Sequence, residues 1–87
     1  YKDYYSTTDE NIKITNNPSN AVRVDLINLT GTVIASSAVN SGNATITVGQ
    51  YHYPMAANIK VYDSANNVIA STANAVNIFG GDVYSVR

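Results

Sequence analysis

The amino-acid sequence predicts an all-β fold, a small antiparallel β-sandwich of about seven strands. Short runs in which aliphatic and polar residues alternate recur at a spacing of roughly ten residues, with turn-forming residues between them. No window combines a helix start with a 3.6-residue apolar period. In addition, the run Val33-Ile34-Ala35-Ser36-Ser37 returns with one change at residues 68–72, each time behind a strand-like run and a turn.

Each strand is predicted from its local pattern. Ile12 and Ile14 share one face of a first strand, which ends where Asn16-Asn17-Pro18-Ser19 favours a turn. Thr45 and Thr47 should face water in the fourth strand, because Ala44, Ile46 and Val48 alternate with them. The other strands are predicted at residues 22–26, 32–39, 57–62, 68–71 and 82–86, and residues 76–78 either continue the sixth strand or form a short one of their own.

The two similar segments suggest a duplicated hairpin unit. Two such units packed face to face would give a sandwich with approximate two-fold character. A chance match among Val, Ile, Ala and Ser in a β-rich chain is the open alternative.

The length and composition indicate one domain with a thin core. The chain has 87 residues and 45% apolar residues, but only one Phe and no Trp, so close-packed aliphatic layers must supply most of the burial. Residues 1–11 are polar, contain three tyrosines and are predicted to form an N-terminal arm. Residues 12–87 are predicted to form the β-sandwich domain.

The charge pattern narrows the function. Charged residues make up 13% of the chain with a formal net charge of −1, so no basic stripe is available for nucleic acid, and no apolar run is long enough for membrane insertion by this chain. Cysteine is absent, which excludes disulfides and thiolate metal sites. We expect no metal and no cofactor. The polar residues are mainly Asn, Ser and Thr rather than charged residues, which is typical of extracellular or cell-surface β-domains.

One aromatic loop is the main candidate for ligand binding. Tyr51, His52 and Tyr53 follow the fourth predicted strand, and His52 is the single histidine of the chain. The loop either closes one end of the core or presents tyrosine rings that stack on sugars. Because no second catalytic group lies near His52 in the sequence, we predict no catalytic residue; a small hydrolase that depends on His52 is a remote alternative.

The acidic residues and the sequons have simpler interpretations. Asp63 and Asp82 lie at strand–turn junctions, where a carboxylate normally accepts hydrogen bonds from backbone N–H groups rather than binding calcium. Asn28 and Asn43 begin Asn-x-Thr sequons at predicted turns, which makes them candidates for glycosylation in an exported protein.

The sheet edges are more informative than the polar residues. The predicted edge strands carry few lysines or prolines, the usual protection against pairing with another chain. Ile12 and Ile14, behind a polar arm, form a strand that pairs within its own domain or inserts into a neighbouring subunit.

Three segments resemble one family. Residues 24–36, 59–71 and 80–86 (the last is Gly-Gly-Asp-Val-Tyr-Ser-Val) resemble the Ig-like sandwich modules of prokaryotic cell-surface and filament proteins. The resemblance implies an Ig-like, Greek-key sandwich with a scaffold, adhesive or filament role, and it carries over no catalytic residue.

Composition, edges and resemblance together lead to one expected function. We expect a non-enzymatic extracellular structural or adhesive subunit whose partners are other protein subunits, with self-assembly into a filament by N-terminal strand exchange. The alternative is a carbohydrate-binding module that uses Tyr51, Tyr53 and Tyr62, with glycans as its ligands.

Overall fold

The computed structural model describes residues 10–48 and 55–86. Eight strands lie within these two ranges, and neither range contains a helix. In chain order the strands are β1 (Glu10–Thr15), β2 (Arg23–Asn28), β3 (Val33–Ala38), β4 (Ala44–Val48), β5 (Met55–Tyr62), β6 (Val68–Ser71), β7 (Val76–Ile78) and β8 (Val83–Ser85).

The strands form two sheets, which confirms the predicted all-β sandwich. One sheet has three strands in the order β4-β1-β8, and the other has five, in the order β3-β2-β5-β6 with β7 also paired to β5. The pairs are antiparallel except β1 with β8, which run parallel in the register Lys13↔Val83. The predicted antiparallel arrangement therefore holds for the other pairs and not for β1 with β8, because alternation within a strand does not specify the direction of its neighbour.

The core lies between the inner faces of the two sheets and is aliphatic. In β4, Ala44, Ile46 and Val48 are buried while Thr45 and Thr47 are exposed, as the alternation predicts. The other buried apolar residues of this cluster are Ile12, Ile14, Val24, Leu26, Met55, Ala57, Ile59, Val61 and Ile78.

The strand boundaries differ slightly from the predicted ones. β1 begins at Glu10, inside the predicted arm, and β2 begins at Arg23, so Val22 lies outside the strand and is exposed. The strand at residues 76–78 is a separate one, β7, which pairs with the first half of β5. β6 pairs with the second half of β5, so β6 and β7 share one side of that long strand.

The two similar segments lie side by side in one sheet, not face to face across the sandwich. Each forms a hairpin, β2–β3 and β5–β6, and the hairpins join through the antiparallel pair β2–β5. This pair places Asp25 opposite Lys60, which are equivalent residues of the two copies, so a local two-fold axis perpendicular to the sheet passes between them. The packing expected from the sequence was wrong because a repeat defines equivalent units but not which face or edge they share.

The two hairpins are similar in structural details as well as in sequence. The register shifts between Leu26 and Ile27 in the first hairpin and between Val61 and Tyr62, the equivalent positions, in the second. Each β-bulge therefore interrupts its ladder at the same place.

The two hairpin turns are also equivalent in the backbone N–H groups that they bind. Asn28 Oδ1 accepts hydrogen bonds from the N–H groups of Thr30 and Thr32 at 3.1 and 2.9 Å. Asp63 Oδ1 accepts from the N–H groups of Ala65 and Asn67 at 3.0 and 2.9 Å. The residues that need a left-handed backbone are equivalent too: Gly31 has φ 88° and Asn66 has φ 67°. The structure thus favours a true internal repeat.

Candidate functional site

The strand-exchange candidates Ile12 and Ile14 lie in the middle of the three-stranded sheet of their own domain. Both side chains are 0% exposed and contribute to the core from β1. β1 pairs with β4 on one side and with β8 on the other. In the single chain, β1 therefore pairs with one strand on each edge, and its apolar side chains pack into the aliphatic core. We call this position between β4 and β8 the seat of β1.

Backbone and side-chain bonds hold β1 on both sides. Lys13 N–H donates to the carbonyl oxygen of Asp82 at 3.1 Å, and the carbonyl oxygen of Asn11 accepts from Gly81 N–H at 2.9 Å. On the other side, the Thr47 hydroxyl donates to Asn11 Oδ1 at 3.1 Å. Removal of β1 would leave the facing edges of β4 and β8 unpaired.

The loop that leaves β1 is fastened at Asn17. Asn17 is 7% exposed, and its side-chain Nδ2 donates to the carbonyl oxygens of Ile14 at 3.1 Å and Gly42 at 2.9 Å. Its backbone N–H also donates to the carbonyl oxygen of Gly42 at 3.1 Å. Asn17 Oδ1 is buried without a hydrogen-bond partner in the described part of the chain. The neighbouring Asn16 has φ 56°, so the chain turns sharply at the exit of β1.

Asn17 is a residue that the sequence analysis assigned only to a turn. The signal that could have identified it is the Asn-Asn-Pro run directly after a strand, since asparagine both adopts the left-handed conformation and hydrogen-bonds nearby backbone. A cavity of about 700 Å³ lies beside this loop. It is lined by Asn17, Pro18, Ser19, Ala21, Val39, Ser41 and Gly42.

The outer face of the five-stranded sheet carries a compact polar cluster. Asp25 is 5% exposed, and its Oδ1 accepts from Arg23 Nε at 3.1 Å and from the Ser36 hydroxyl at 2.7 Å. The Arg23 guanidinium lies 4.1 Å from the centroid of the Tyr62 ring. This cluster neutralises the buried carboxylate, and it covers one face of Tyr62, the third tyrosine of the carbohydrate-binding hypothesis.

The loop candidates Tyr51, His52 and Tyr53 lie outside the described residues. The sequon residues are described: Asn28 ends β2, and the Thr30 hydroxyl donates to its Oδ1 at 2.8 Å. Asn43 is exposed in the turn before β4, where its backbone N–H donates to the carbonyl oxygen of Asn40 at 2.9 Å. Both sequons thus lie at turns, and their glycosylation stays a prediction.

The carboxylates at the strand–turn junctions accept backbone hydrogen bonds, as predicted. Asp63 Oδ1 accepts from the N–H groups of Ala65 and Asn67, and Asp82 Oδ1 accepts from Val83 N–H at 2.9 Å. The hydrogen bond from Asn67 N–H is the main cause that holds the pKa of Asp63 below its ordinary value of 3.8. These acids fasten turns.

Neither a cluster of metal ligands nor a membrane-spanning helix occurs in the described residues. Within residues 10–48 and 55–86, no group of three or more His, Cys, Asp or Glu side chains is placed to hold a metal ion. The same ranges contain no helix that is long and apolar enough to span a bilayer.

Comparisons with known proteins found no similarity: no protein-family model, no curated protein and no solved structure matches this chain. The fold and the geometry of β1, its seat and its exit loop therefore carry the functional argument.

Proposed function

We propose that this protein is a non-enzymatic, extracellular structural or adhesive subunit that joins copies of itself by exchange of β1. The observation that carries the proposal is the seat of β1. Two apolar side chains, Ile12 and Ile14, fill the core from a strand that is paired on both edges and is joined to the rest of the domain by one loop. A strand inserted from a second copy would make the same contacts.

Strand exchange conserves nearly all of the folding free energy. Every bond between β1 and its two neighbours is broken in one chain and remade with the next, so the free-energy difference between closed monomer and exchanged form resides in the loop at residues 16–22. In the closed monomer this loop is fastened by the bonds of Asn17 to Ile14 and Gly42. Extension of the loop releases these bonds and the left-handed turn at Asn16, which makes the loop the hinge of the exchange.

The extracellular and adhesive parts of the proposal are supported by the surface chemistry. The surface has few charges and many Asn, Ser and Thr side chains. Identical subunits with such a surface repel each other little, because the electrostatic field around each is weak. Other copies of this chain or other surface proteins are the proposed partners. Strand addition is a known mode of joining such β-domains.

A disulfide trap tests the exchange directly. Lys13 on β1 lies opposite Thr45 on β4, and both side chains are exposed. Because Lys13 N–H bonds to β8, its pair with Thr45 is of the non-hydrogen-bonded type, which brings side chains close enough for a disulfide. The chain has no cysteine of its own. A mixture of the single variants Lys13→Cys and Thr45→Cys should therefore give a disulfide-linked dimer only when β1 of one copy sits beside β4 of another.

Two matched variants complete the test. The double variant Lys13→Cys with Thr45→Cys should form an intrachain disulfide when diluted, which verifies the register of β1 and β4. A mixture of Lys13→Cys with Ser64→Cys, an exposed residue of the turn between β5 and β6, measures collisional crosslinking. If the Lys13→Cys and Thr45→Cys mixture crosslinks no more than this control, while the double variant closes within one chain, exchange does not occur.

The carbohydrate-binding alternative stays a prediction. Two of its tyrosines, Tyr51 and Tyr53, lie outside the described residues, and one face of the third, Tyr62, is covered by Arg23. Polysaccharide binding that is lost in the variant Tyr51→Ala with Tyr53→Ala would support it.

A further inference from the structure

The two copies of the repeated segment, β3 and β6, both lie at edges of the five-stranded sheet, and β7 shares the edge of β6. β3 and β6 both begin Val-Ile-Ala-Ser. In the described part of the chain, β3 pairs with β2 alone and β6 with β5 alone. Among the described residues, the outward row of backbone N–H and C=O groups of each strand therefore has no partner strand, and the two rows lie on opposite sides of one sheet.

Neither edge is protected by charged residues or by proline, and each carries only the β-bulge of its own hairpin. Charged side chains, proline and inward-pointing charges normally prevent an edge from pairing with another chain, and β3 and β6 contain none of them. Val33 and Val68, equivalent residues of the repeat, are 49% and 50% exposed. The two edges therefore offer a second copy the same uncharged backbone and the same exposed valine.

Strand directions permit one simple way to join them. β3, β2, β5 and β6 alternate in direction along the sheet, so β3 and β6 run antiparallel to each other. A second copy placed beside the first in the same orientation brings its β3 against β6 of the first copy as an antiparallel pair. The chain already contains a seam of this kind, because its two hairpins pair edge to edge through β2 and β5. The local two-fold axis that relates the two hairpins also relates β3 to β6. Pairing of β6 with β3 of a second copy would therefore extend the sheet by another antiparallel pair of hairpins.

We infer that copies of this protein associate head to tail, with β6 of one copy paired to β3 of the next, so that the five-stranded sheets form a continuous ribbon. Each copy has one β3 edge and one β6 edge, and the pairing does not close on itself, so the assembly is open and grows with concentration. This contact uses the five-stranded sheet, whereas strand exchange uses the three-stranded one, so each of the two contacts can exist without the other.

The test uses lysine substitutions at the two edges in a chain that cannot exchange β1. The Lys13→Cys with Thr45→Cys background, oxidised to the intrachain disulfide, locks β1 in place. Val33→Lys blocks the β3 edge and Val68→Lys blocks the β6 edge, and the half-exposed positions let the lysine stem keep the packing of the valine. Sedimentation velocity over a range of protein concentrations measures the association.

The expected size of the assembly depends on which of the two edges, β3 or β6, is still free to pair. The locked parent should form species larger than the monomer as its concentration rises, and each single lysine variant should remain monomeric. An equal mixture of the two single variants should give a species of twice the monomer mass and nothing larger, because the free β6 edge of one meets the free β3 edge of the other. Val83→Lys is the matched control, since Val83 is 53% exposed on β8 of the other sheet, and this variant should associate like the parent.

Several results would overturn the inference. A locked parent that stays monomeric at millimolar concentration would do so, as would a Val83→Lys variant that loses association with the others. If Val33→Lys alone still dimerises, the edges pair like with like and the head-to-tail order is wrong. A measurement without edge variants guards against misfolding: amide hydrogen exchange in β3 and β6 of the locked parent should slow as concentration rises, and unchanged exchange would contradict the contact.

Discussion

At the scale of single residues, Asp63 gives the fold a defined dependence on acid. Its carboxylate accepts turn N–H bonds that hold its pKa below the ordinary value of 3.8. A group whose pKa is lowered by folding stabilises the folded state above the ordinary value, and that contribution is lost as the pH falls through the lowered one. In Asp63→Asn an amide oxygen would accept the same bonds at every pH, as Asn28 does in the equivalent turn.

We therefore expect the difference in urea midpoint between wild type and Asp63→Asn to shrink as the pH falls from 6 to 2. The reverse substitution in the other turn, Asn28→Asp, is the control and should introduce an acid dependence that the wild-type turn lacks. A difference between wild type and Asp63→Asn that is constant over this range would show that Asp63 does not bond these N–H groups more strongly when ionised.

Tyr84 makes the stability of the fold depend on pH in the alkaline range. Its hydroxyl accepts from Phe79 N–H at 2.6 Å and donates to the carbonyl oxygen of Asn77 at 3.3 Å, which ties β8 to the end of β7. Burial raises the pKa of Tyr84 above its ordinary value of 10.0. The stabilisation is therefore complete below pH 10 and is lost as the pH rises through the raised pKa.

Tyr84→Phe should lower the free energy of unfolding by about 1 kcal/mol at pH 7, the usual net value of a hydrogen bond in a protein. The loss should be smaller at pH 11, because the wild-type hydroxyl is then ionising. Urea denaturation at the two pH values measures it, with Tyr62→Phe as the control that retains a ring beneath Arg23. An equal loss at both pH values would contradict the assignment.

At the scale of elements, the alternation of apolar and polar residues predicts where the strands lie and which faces are buried. It does not predict which strands pair with each other. Ile46 and Thr47 alternate cleanly, so β4 and its buried face could be predicted. The parallel pairing of β1 with β8 could not, because no local pattern specifies which strand lies alongside Lys13. The same limit applies to the repeat, whose copies share an edge at Asp25 and Lys60 rather than a face.

The candidate site was predictable to the same extent. Alternation identified Ile12 and Ile14 as one apolar face, but only the tertiary structure shows that β1 lies between two strands. Alternation with Val24 and Leu26 puts Asp25 on the outward face of β2, yet Asp25 is buried because Arg23 and Ser36 close over it. A buried carboxylate of this kind depends on neighbours that are distant in sequence.

The loop after β1 provides a prediction at this scale. Asn17→Ala removes the side-chain bonds to Ile14 and Gly42 and leaves their carbonyl oxygens without these donors, which should cost about 1–3 kcal/mol of folding free energy. Because these bonds fasten the closed form of the hinge, the variant should also speed crosslinking in the mixture of Lys13→Cys and Thr45→Cys chains.

The matched control is Asn20→Ala, an exposed residue of the same loop, which should change neither stability nor crosslinking rate. A destabilised Asn17→Ala variant that crosslinks at the wild-type rate would separate the two roles. It would show that Asn17 stabilises the loop without controlling the release of β1.

At the scale of the whole molecule, stability depends on a small number of aliphatic side chains between the two sheets. Among the described residues, the largest fully buried side chains are all Ile, Leu or Val. A domain of this length has a free energy of unfolding on the order of 4–13 kcal/mol. One buried isoleucine can therefore decide whether the chain folds, and with it every assembly contact that depends on the two sheets.

Ile59 is the residue at which this dependence can be measured. It is fully buried in β5, the strand that carries both β6 and β7 and joins the two hairpins. Ile59→Ala should cost about 2–5 kcal/mol and bring the domain close to unfolding at 25 °C, whereas Ile59→Val should cost about 0.5–1.5 kcal/mol and leave it folded. Circular dichroism during urea denaturation measures both, with the half-exposed Val33→Ala as the control. If Ile59→Ala is no more destabilising than Val33→Ala, the core between the two sheets is not the main source of stability.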